Sequence, residues 1–181
     1  MEDTRQAEEA QKSSGWLDLL EAVIIALALA MVIRLFLFEP FVIPSGSMEP
    51  TLQPGDRIIV SKLSYRFSEP QREDVIVFRY PPNPRLVYIK RLVAMGGDTV
   101  RIEDNRLYVN GQPVPEQYLP DNVYMHDFGP VTIPPGSFFV LGDNRNNSED
   151  SRVWGLLPEG NVLGKAVLLF WPPGRFRLIG P

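Results

Sequence analysis

A continuous apolar run near the N-terminus constrains this chain more than any other feature of its sequence. The run extends from Ala22 to Phe38, AVIIALALAMVIRLFLF, and Arg34 is its only charged residue. With Trp16 and the leucines that follow it, the segment is long enough to cross about 30 Å of hydrocarbon as a helix. Arg34 lies near one end of the run, where a long side chain reaches the polar interface. We therefore predict a transmembrane helix over residues 16–38.

Two other interpretations of the run fit the sequence less well. A buried core helix usually carries a polar stripe, and this run has none. A removable signal peptide has a basic start and a small-residue cleavage motif after its apolar part. Here the preceding region is acidic, and the ALA triplets at 26–28 and 28–30 lie inside the run. We expect a retained anchor, preceded by a polar, mobile tail over residues 1–15.

The charges beside the run do not settle its orientation. More basic residues lie within or after the run than before it: Arg5 and Lys12 precede it, and Arg34, Arg57, Lys62 and Arg66 follow its start. Under the positive-inside rule, this distribution gives no support to a cytoplasmic N-terminus.

Beyond Phe38 the chain has the pattern of a mainly β domain, residues 39–181. Short runs rich in Val, Ile, Phe and Tyr alternate with turn residues, as strands do. The dipeptide Asn110–Gly111 is typical of a hairpin turn. Residues 112–135 contain many prolines and little periodicity, so we expect them to leave the sheet. The predicted strands lie in RIIVSKL, DVIVFRY, RLVYIKRLVAM, DTVRI, RLYVNG, SFFVLGD and VLGKAVLLFWP.

The composition excludes several classes of function. The net charge is −4 and there is no long basic stretch, so the chain lacks the electrostatic pattern of a nucleic-acid-binding protein. The absence of cysteine excludes disulfides, thiolate zinc sites and a cysteine nucleophile. His126 is the only histidine, and the adjacent Asp127 would point to the opposite face of an extended segment. We interpret His126 as a loop residue.

Three hydroxyl residues follow the apolar run in a turn-forming segment, IPSGSMEPTL. Its prolines restrain the backbone, and its glycine permits a sharp turn. The hydroxyls of Ser45, Ser47 and Thr51 either satisfy their own backbone or include a nucleophile. A serine nucleophile needs a base, and with histidine set aside the strongest remaining candidate is a neutral lysine.

Two lysines are candidates for that base. Strand alternation places apolar side chains on the face of each: Leu86, Tyr88, Leu92 and Ala94 beside Lys90, and Leu163, Val167 and Leu169 beside Lys165. Desolvation on such a face favours the neutral amine. A surface lysine that snorkels is the alternative for both. This argument does not separate Lys90 from Lys165.

A third segment, LGDNRNNSEDSRVWG, has the composition of a solvated loop. Asp143, Arg145, Asp150 and Arg152 offer ion pairs within it. Such pairs would fix the loop and aim Ser148, and a fixed polar loop can orient a catalytic amine.

Together these segments resemble the bacterial type I signal peptidases, membrane-bound serine proteases that remove signal peptides from exported proteins. The matching motifs are PSGSMEPTL with GDRIIV, then YIKRLVAMGGDTV, then GDNRNNSEDSRVWG, in the order of the family. Each motif alone is weak, but three in order after one N-terminal span are highly specific. The resemblance covers the chain from the span to the C-terminus. It implies a mostly antiparallel β domain of the signal-peptidase type.

The resemblance also implies roles for individual residues. Ser47 corresponds to the nucleophile and Lys90 to the general base, which favours Lys90 over Lys165. Ser45 corresponds to the side-chain donor of the oxyanion hole, which acts with the Ser47 amide. Ser148 corresponds to the serine that orients the lysine.

The remaining correspondences concern support and substrate binding. Asp150 and Arg152 match a structural ion pair. The pockets for the small residues at the cleavage site match Ile43, Pro44, Met48, Leu52, Ile58, Tyr88 and Ile89.

A topology and a set of partners follow from the same resemblance. Residues 1–15 would be cytoplasmic, residues 16–38 would cross the cell membrane once, and residues 39–181 would form an extracytoplasmic catalytic domain. The expected partners are signal-peptide-bearing precursors and membrane lipid, with no nucleic acid, no metal and no cofactor.

Two other hypotheses are weighed against this one. Self-cleaving repressors of the DNA-damage response use a Ser-Lys pair on a related β fold, but they carry a DNA-binding region where this chain has its span. A membrane-anchored binding protein without catalysis would have the anchor and the sheet but no dyad.

Overall fold

The computed structural model describes Trp16, residues 18–31 and residues 37–180. Residues 18–31 are helical. Among the described residues, no helix has the length and apolar character needed to cross a bilayer. The predicted tail, residues 1–15, and part of the predicted transmembrane helix lie outside the described residues. The anchor over residues 16–38 therefore stays a prediction.

The chain forms two compact units, Met1–Phe38 and Glu39–Pro181. Phe38 begins strand β1, Phe38–Val42, so the sequence analysis placed the end of the helix too late. Glu39 precedes Pro40, and the residue before a proline favours extended backbone. Proline also lacks the amide that a helix interior needs.

Strands are the main regular structure of the second unit, which confirms the prediction of a mainly β domain. After β1 they are β2 (Arg57–Ser61), β3 (Val75–Arg79), β4 (Val87–Met95), β5 (Thr99–Glu103), β6 (Arg106–Val109), β7 (Gln112–Pro113), β8 (Phe128–Thr132), β9 (Ser137–Leu141), β10 (Leu157–Pro158), β11 (Val162–Trp171) and β12 (Arg177–Leu178). The described helices of this unit are short: α1 (Ser64–Phe67), α2 (Ser151–Trp154), and the 3-10 turns Gly46–Met48, Glu159–Asn161 and Pro173–Arg175.

These strands form two sheets. The larger has the order β1-β2-β11-β3-β4-β9-β10, with β12 paired to β11, and the smaller has the order β7-β6-β5-β8. The pairs from β2 onward are antiparallel.

Strand β3 shows how the core surrounds the larger sheet. Its successive side chains alternate between two apolar clusters: Val75 and Val77 pack with Met48 and Leu52, whereas Ile76 and Phe78 pack with Leu92 and Val140. A strand buried on both faces has a continuous apolar run, and VIVF, residues 75–78, is one.

The prediction that residues 112–135 leave the sheet is correct only for residues 114–127, which contain no strand, because β7 precedes these residues and β8 follows them. In β8, Val131 pairs with Val100 and Thr132 pairs with Thr99. The strand contains Gly129 and Pro130, which normally argue against a strand. It lies at the edge of the smaller sheet, where a proline is tolerated. Edge position is a tertiary property that the local pattern does not reveal.

Gly164 marks a point where β11 approaches β2 closely. A Cβ there would overlap the Ser61 carbonyl oxygen and lie 2.9 Å from Val60 Cγ1. The register of β11 against β3 also shifts between Val162 and Gly164. Only glycine fits this site without a shift of the neighbouring backbone.

We predict that Gly164→Ala lowers the free energy of unfolding by about 1–3 kcal/mol, because the added methyl group overpacks the sheet. Urea unfolding of the full chain in detergent measures the change. Gly174→Ala is the control, since its Cβ would enter open space. Equal stability of the two variants would contradict the close approach of β11 and β2.

Candidate active site

Ser47 lies in the 3-10 turn Gly46–Met48, just after β1. The buried side chain of Met48 anchors this turn in the core of the larger sheet. The backbone before the turn is fixed by a hydrogen bond from the Ile43 amide to the Asp56 carbonyl, 2.9 Å. The Leu52 amide donates to the Met48 carbonyl over 2.8 Å on the other side. The turn therefore holds Ser47 in a defined position at the surface of the core.

Lys90 reaches Ser47 from strand β4. Its Nζ lies 2.7 Å from Ser47 Oγ and 3.0 Å from the Ile89 carbonyl oxygen. Strand β4 pairs with β3 on one side and β9 on the other, so its backbone is fixed at both edges. Lys90 itself is only 3% exposed. The structure thus brings together the predicted nucleophile and the predicted base.

Burial changes the protonation of this amine. Desolvation lowers the pKa of Lys90 to about 8, while the carboxylates of Asp150, Asp143 and Glu149 act in the opposite direction and raise it. A buried amine loses hydration that only its charged form uses strongly. Lys90 can therefore be neutral at mildly alkaline pH and accept a proton from a hydroxyl.

The apolar face beside Lys90 differs in part from the predicted one. Tyr88 and Leu92 pack in one cluster as expected, but Ala94 packs with Val93 in another. The register of β4 against β9 shifts between Leu92 and Ala94, and this irregularity breaks the alternation. Leu86 precedes β4 and is exposed.

Lys165 has a different partner. Its Nζ lies 2.5 Å from Asp74 Oδ1, and Asp74 is buried. The amine of Lys165 is therefore paired with a carboxylate, whereas that of Lys90 lies against a serine hydroxyl. The structure separates the two lysines that strand alternation could not separate.

The loop after β9 supports the Ser47 turn. The Asn144 amide donates to the Ser47 carbonyl over 3.1 Å, and Asn144 Nδ2 donates to the Gly46 carbonyl over 3.0 Å. At Gly142 a Cβ would lie 2.5 Å from the Ser47 carbonyl oxygen, so loop and turn pack backbone against backbone. The sequence analysis missed Asn144, whose type is common in any polar loop.

The ion pairs of this loop are only partly internal. Arg152 donates to both carboxylate oxygens of Asp150, at 2.8 and 2.7 Å, and Asp150 also accepts from the Gly142 amide at 3.1 Å. Asp143 and Arg145 instead pair outside the loop, with Arg91 and Glu116. Local composition does not identify partners so distant in the sequence.

Ser148 does not make the hydrogen bond expected from the resemblance. Its Oγ is buried and has no hydrogen-bond partner among the described residues. Its side chain packs against Gly142 instead. A role for Ser148 in orienting Lys90 stays a prediction.

A groove of about 340 Å³ opens at the Ser47–Lys90 pair. Ser45 lies on its wall, exposed, with extended backbone and no capping hydrogen bond from its side chain. The lining residues are Pro44, Ser45, Ser47, Val87, Tyr88, Ile89, Lys90 and Glu149. Val87 and Glu149 were not predicted to line the groove: Val87 precedes the motif that begins at Tyr88, and Glu149 lies in the third motif but has no assigned role of its own.

The predicted pocket residues fall into two groups. Pro44, Tyr88 and Ile89 line the groove. The other four, Ile43, Met48, Leu52 and Ile58, are at most 3% exposed and form the core cluster on which Ile89 packs. In this structure they support the groove and do not line it. Apolar residue type alone does not distinguish these two positions.

Two features outside the groove bear on other kinds of catalysis. His126 is an exposed loop residue whose ring meets that of Tyr124 edge to face, with centroids 5.0 Å apart. In the described part of the chain, no group of three or more His, Cys, Asp or Glu residues is placed to hold a metal ion.

Comparison with known proteins shows which family the chain is similar to. The family model described as "Signal peptidase, peptidase S26" matches residues 16–171. A signal peptidase I of Leptolyngbya laminosa is 42% identical over 185 residues, which cover 97% of this chain and 89% of that protein. A probable signal peptidase I-2 of Synechocystis sp. is 40% identical over 184 residues, which cover 98% of this chain and 83% of that protein.

A crystal structure of a signal peptidase I from Enterococcus faecalis matches 54% of this chain and 97% of its own chain, with 36% sequence identity and a TM-score of 0.49.

The family model and the relatives each match nearly the whole chain, and they confirm the resemblance carried by the three motifs. This chain belongs to the signal peptidase family, peptidase S26.

Proposed function

We propose that this chain is a serine endopeptidase that removes N-terminal signal peptides from exported precursors, with Ser47 as nucleophile and Lys90 as general base. The observation that carries the proposal is the 2.7 Å separation of Lys90 Nζ and Ser47 Oγ. This pair lies on an open groove, where an extended peptide has access to both groups. Family membership supports the same reaction class.

The first half of the reaction forms a bond from Ser47 Oγ to the acyl carbon, breaks the scissile C–N bond, and moves one proton from Ser47 through Lys90 to the departing amine. Neutral Lys90 accepts the hydroxyl proton as Ser47 Oγ attacks the carbonyl carbon of the residue before the cleavage site. The Ser45 hydroxyl and the Ser47 amide donate to the oxyanion that forms, and such a donor typically contributes about 3–4 kcal/mol. Lys90 then gives the proton to the departing amine, and the acyl group remains on Ser47.

The second half regenerates the enzyme. Lys90, neutral again, takes a proton from a water molecule that attacks the ester carbonyl carbon. Collapse of the second tetrahedral intermediate returns this proton to Ser47 Oγ and releases the signal peptide. These steps use only groups of the protein, the substrate and water.

We also propose that the apolar segment before strand β1, within residues 16–37, crosses the cytoplasmic membrane once, with residues 1–15 in the cytoplasm and the β domain outside. The continuous apolar run supports the span. The proposed reaction supports the orientation, because signal peptides are removed as precursors emerge. A long C-terminal domain translocates largely regardless of its charge, so the basic residues after the run do not oppose the proposed orientation.

Ser47→Ala and Lys90→Ala should each abolish cleavage of a precursor, by roughly a thousandfold or more, because nucleophile and base act as one unit. The double variant should be no worse than either single one. The test is the rate at which each purified full-length variant cleaves the precursor, with folding checked by circular dichroism. Lys165→Ala is the control and should keep most activity. Substantial turnover by either dyad variant would refute the proposal.

The rate constant kcat/KM should rise with pH through an apparent pKa of about 8, because Lys90 must be neutral to accept the proton. Activity is therefore lost as pH falls below this value. The apparent pKa is measured from the pH–rate profiles of the wild type and of His126→Ala, and the two profiles should coincide. An ionisation near 6.5, typical of histidine, that disappears in His126→Ala would contradict the assignment of the base.

Protease added to spheroplasts should digest residues 39–181 and spare the N-terminal tail. Antibodies against tags at the two ends of the chain would follow each fragment. A cytoplasmic protein serves as the control for intact membranes. Protection of the catalytic unit would place Ser47 on the wrong side of the membrane, and the proposed function would have to be withdrawn.

A further inference from the structure

The segment between β7 and β8 contacts both sides of the proposed active site. Two of its side chains, Glu116 and Tyr118, reach two arginines that belong to the catalytic elements. One arginine follows Lys90 in β4, and the other lies in the loop that supports Ser47. We call Glu116 and Tyr118 the bracket.

Glu116 holds the loop arginine. Arg145 donates through Nη1 to Glu116 Oε2 at 2.9 Å and through Nη2 to Oε1 at 2.5 Å. The Arg145 side chain is fully buried, and that of Glu116 is 8% exposed. A buried, bidentate ion pair of this kind fixes both the orientation and the distance of the two side chains. Arg145 also donates to the Gly142 carbonyl at 2.9 Å, so the pair fixes the start of the loop.

Tyr118 holds the arginine of β4. The guanidinium carbon of Arg91 lies 3.9 Å from the centre of the Tyr118 ring, a stacked cation–π contact. The Tyr118 hydroxyl donates to Glu116 Oε1 at 2.8 Å, which joins the two halves of the bracket. Burial and the Glu116 carboxylate raise the pKa of Tyr118, so this hydroxyl stays protonated.

The two arginines are connected to the reacting groups by short chains of covalent and hydrogen bonds. Arg91 is the residue after Lys90, and it pairs with Asp143 at 2.9 and 2.7 Å. Asp143 precedes Asn144, whose amide donates to the Ser47 carbonyl. A shift of either arginine therefore moves the backbone that carries Lys90 or the backbone that supports Ser47.

We propose that Glu116 and Tyr118 are positioning residues, which set the separation of Ser47 and Lys90 through Arg145 and Arg91. The proposal rests on the function proposed above. Neither residue touches the groove or the dyad, so their effect is on geometry and not on substrate contact. Misplacement of reacting groups by about 1 Å can cost roughly a hundredfold in rate.

A matched control is available in the same unit. Asp98 pairs with Arg72 at 2.7 Å, and its side chain is 11% exposed, close to the value for Glu116. It also accepts from the Met95 amide and from Asn110. None of these partners belongs to the loop or the turn of the active site. Asp98→Asn therefore removes a comparable carboxylate charge away from Ser47 and Lys90.

The test combines kinetics with amide hydrogen exchange on the full-length enzyme in detergent. In Glu116→Gln we expect kcat to fall roughly 10- to 100-fold with KM little changed. Exchange in peptides that cover residues 142–150 should become about tenfold faster, because Arg145 no longer fixes the loop that holds the Gly142 amide against Asp150 and the Asn144 amide against the Ser47 carbonyl. Asp98→Asn should change neither quantity.

Tyr118→Phe provides a milder variant that keeps the ring on Arg91 and removes the hydroxyl, which donates to Glu116 at 2.8 Å and accepts from Arg145 Nη2 at 3.4 Å. We expect a smaller loss of kcat and a smaller gain in exchange, so the proposal remains testable if Glu116→Gln does not fold. Unchanged kcat in both bracket variants would overturn the proposal. An equal loss in Asp98→Asn would overturn it too, since general stability would then explain the effect.

The exchange measurement also separates this proposal from the proposed function. If Ser47→Ala kept full activity, the assignment of the dyad would fail. Even in that case, faster exchange at residues 142–150 in Glu116→Gln would show that Glu116 holds the loop. Unchanged exchange at these residues would refute that role of Glu116.

Discussion

The contact between the Lys90 amine and the Ser47 hydroxyl is the interaction on which the account of this protein depends. A lysine is a base only when it is neutral, and here burial supplies that condition: the residue is 3% exposed, and its pKa is lowered to about 8. The same burial explains the surroundings of the pair. Lys90 lies on strand β4, which is paired on both sides, and the Ser47 turn beside it is anchored by Met48 and packs against Gly142.

Two consecutive residues of strand β4, Lys90 and Arg91, contact different parts of the site. Lys90 faces the serine, whereas Arg91 pairs with Asp143 and stacks on Tyr118. A buried arginine is destabilising unless it is fully paired, so the charges around Arg91 are held in one arrangement. Three carboxylates near the amine oppose desolvation and keep the pKa of Lys90 from falling further. Burial thus lowers the pKa of Lys90, and Asp143 links its protonation to the geometry of the site, because this carboxylate both pairs with Arg91 and raises the pKa of Lys90.

The sequence predicted local features well and long-range features poorly. Continuous apolar runs identified strands such as β3, and motif order identified the family. The sequence did not predict β8, because its glycine and proline are tolerated only at a sheet edge. It also did not predict the break in strand alternation at Ala94. Apolar residue type likewise could not tell Ile89, which lines the groove, from Leu52, which lies in the core. The partners of Arg145 and Asp143 are distant in the chain, and no local pattern encodes them.

The protonation of Lys90 is the quantity that tests this account most directly. The chain has four lysines, so carbon-13 labelling of their side chains gives a spectrum simple enough to titrate by NMR. Lys90→Arg identifies the signal of Lys90. The account predicts that this signal titrates with a pKa of about 8. Titration of Lys90 near its usual value of 10.5 would contradict it, because the amine would then be charged where the proposed mechanism requires a base.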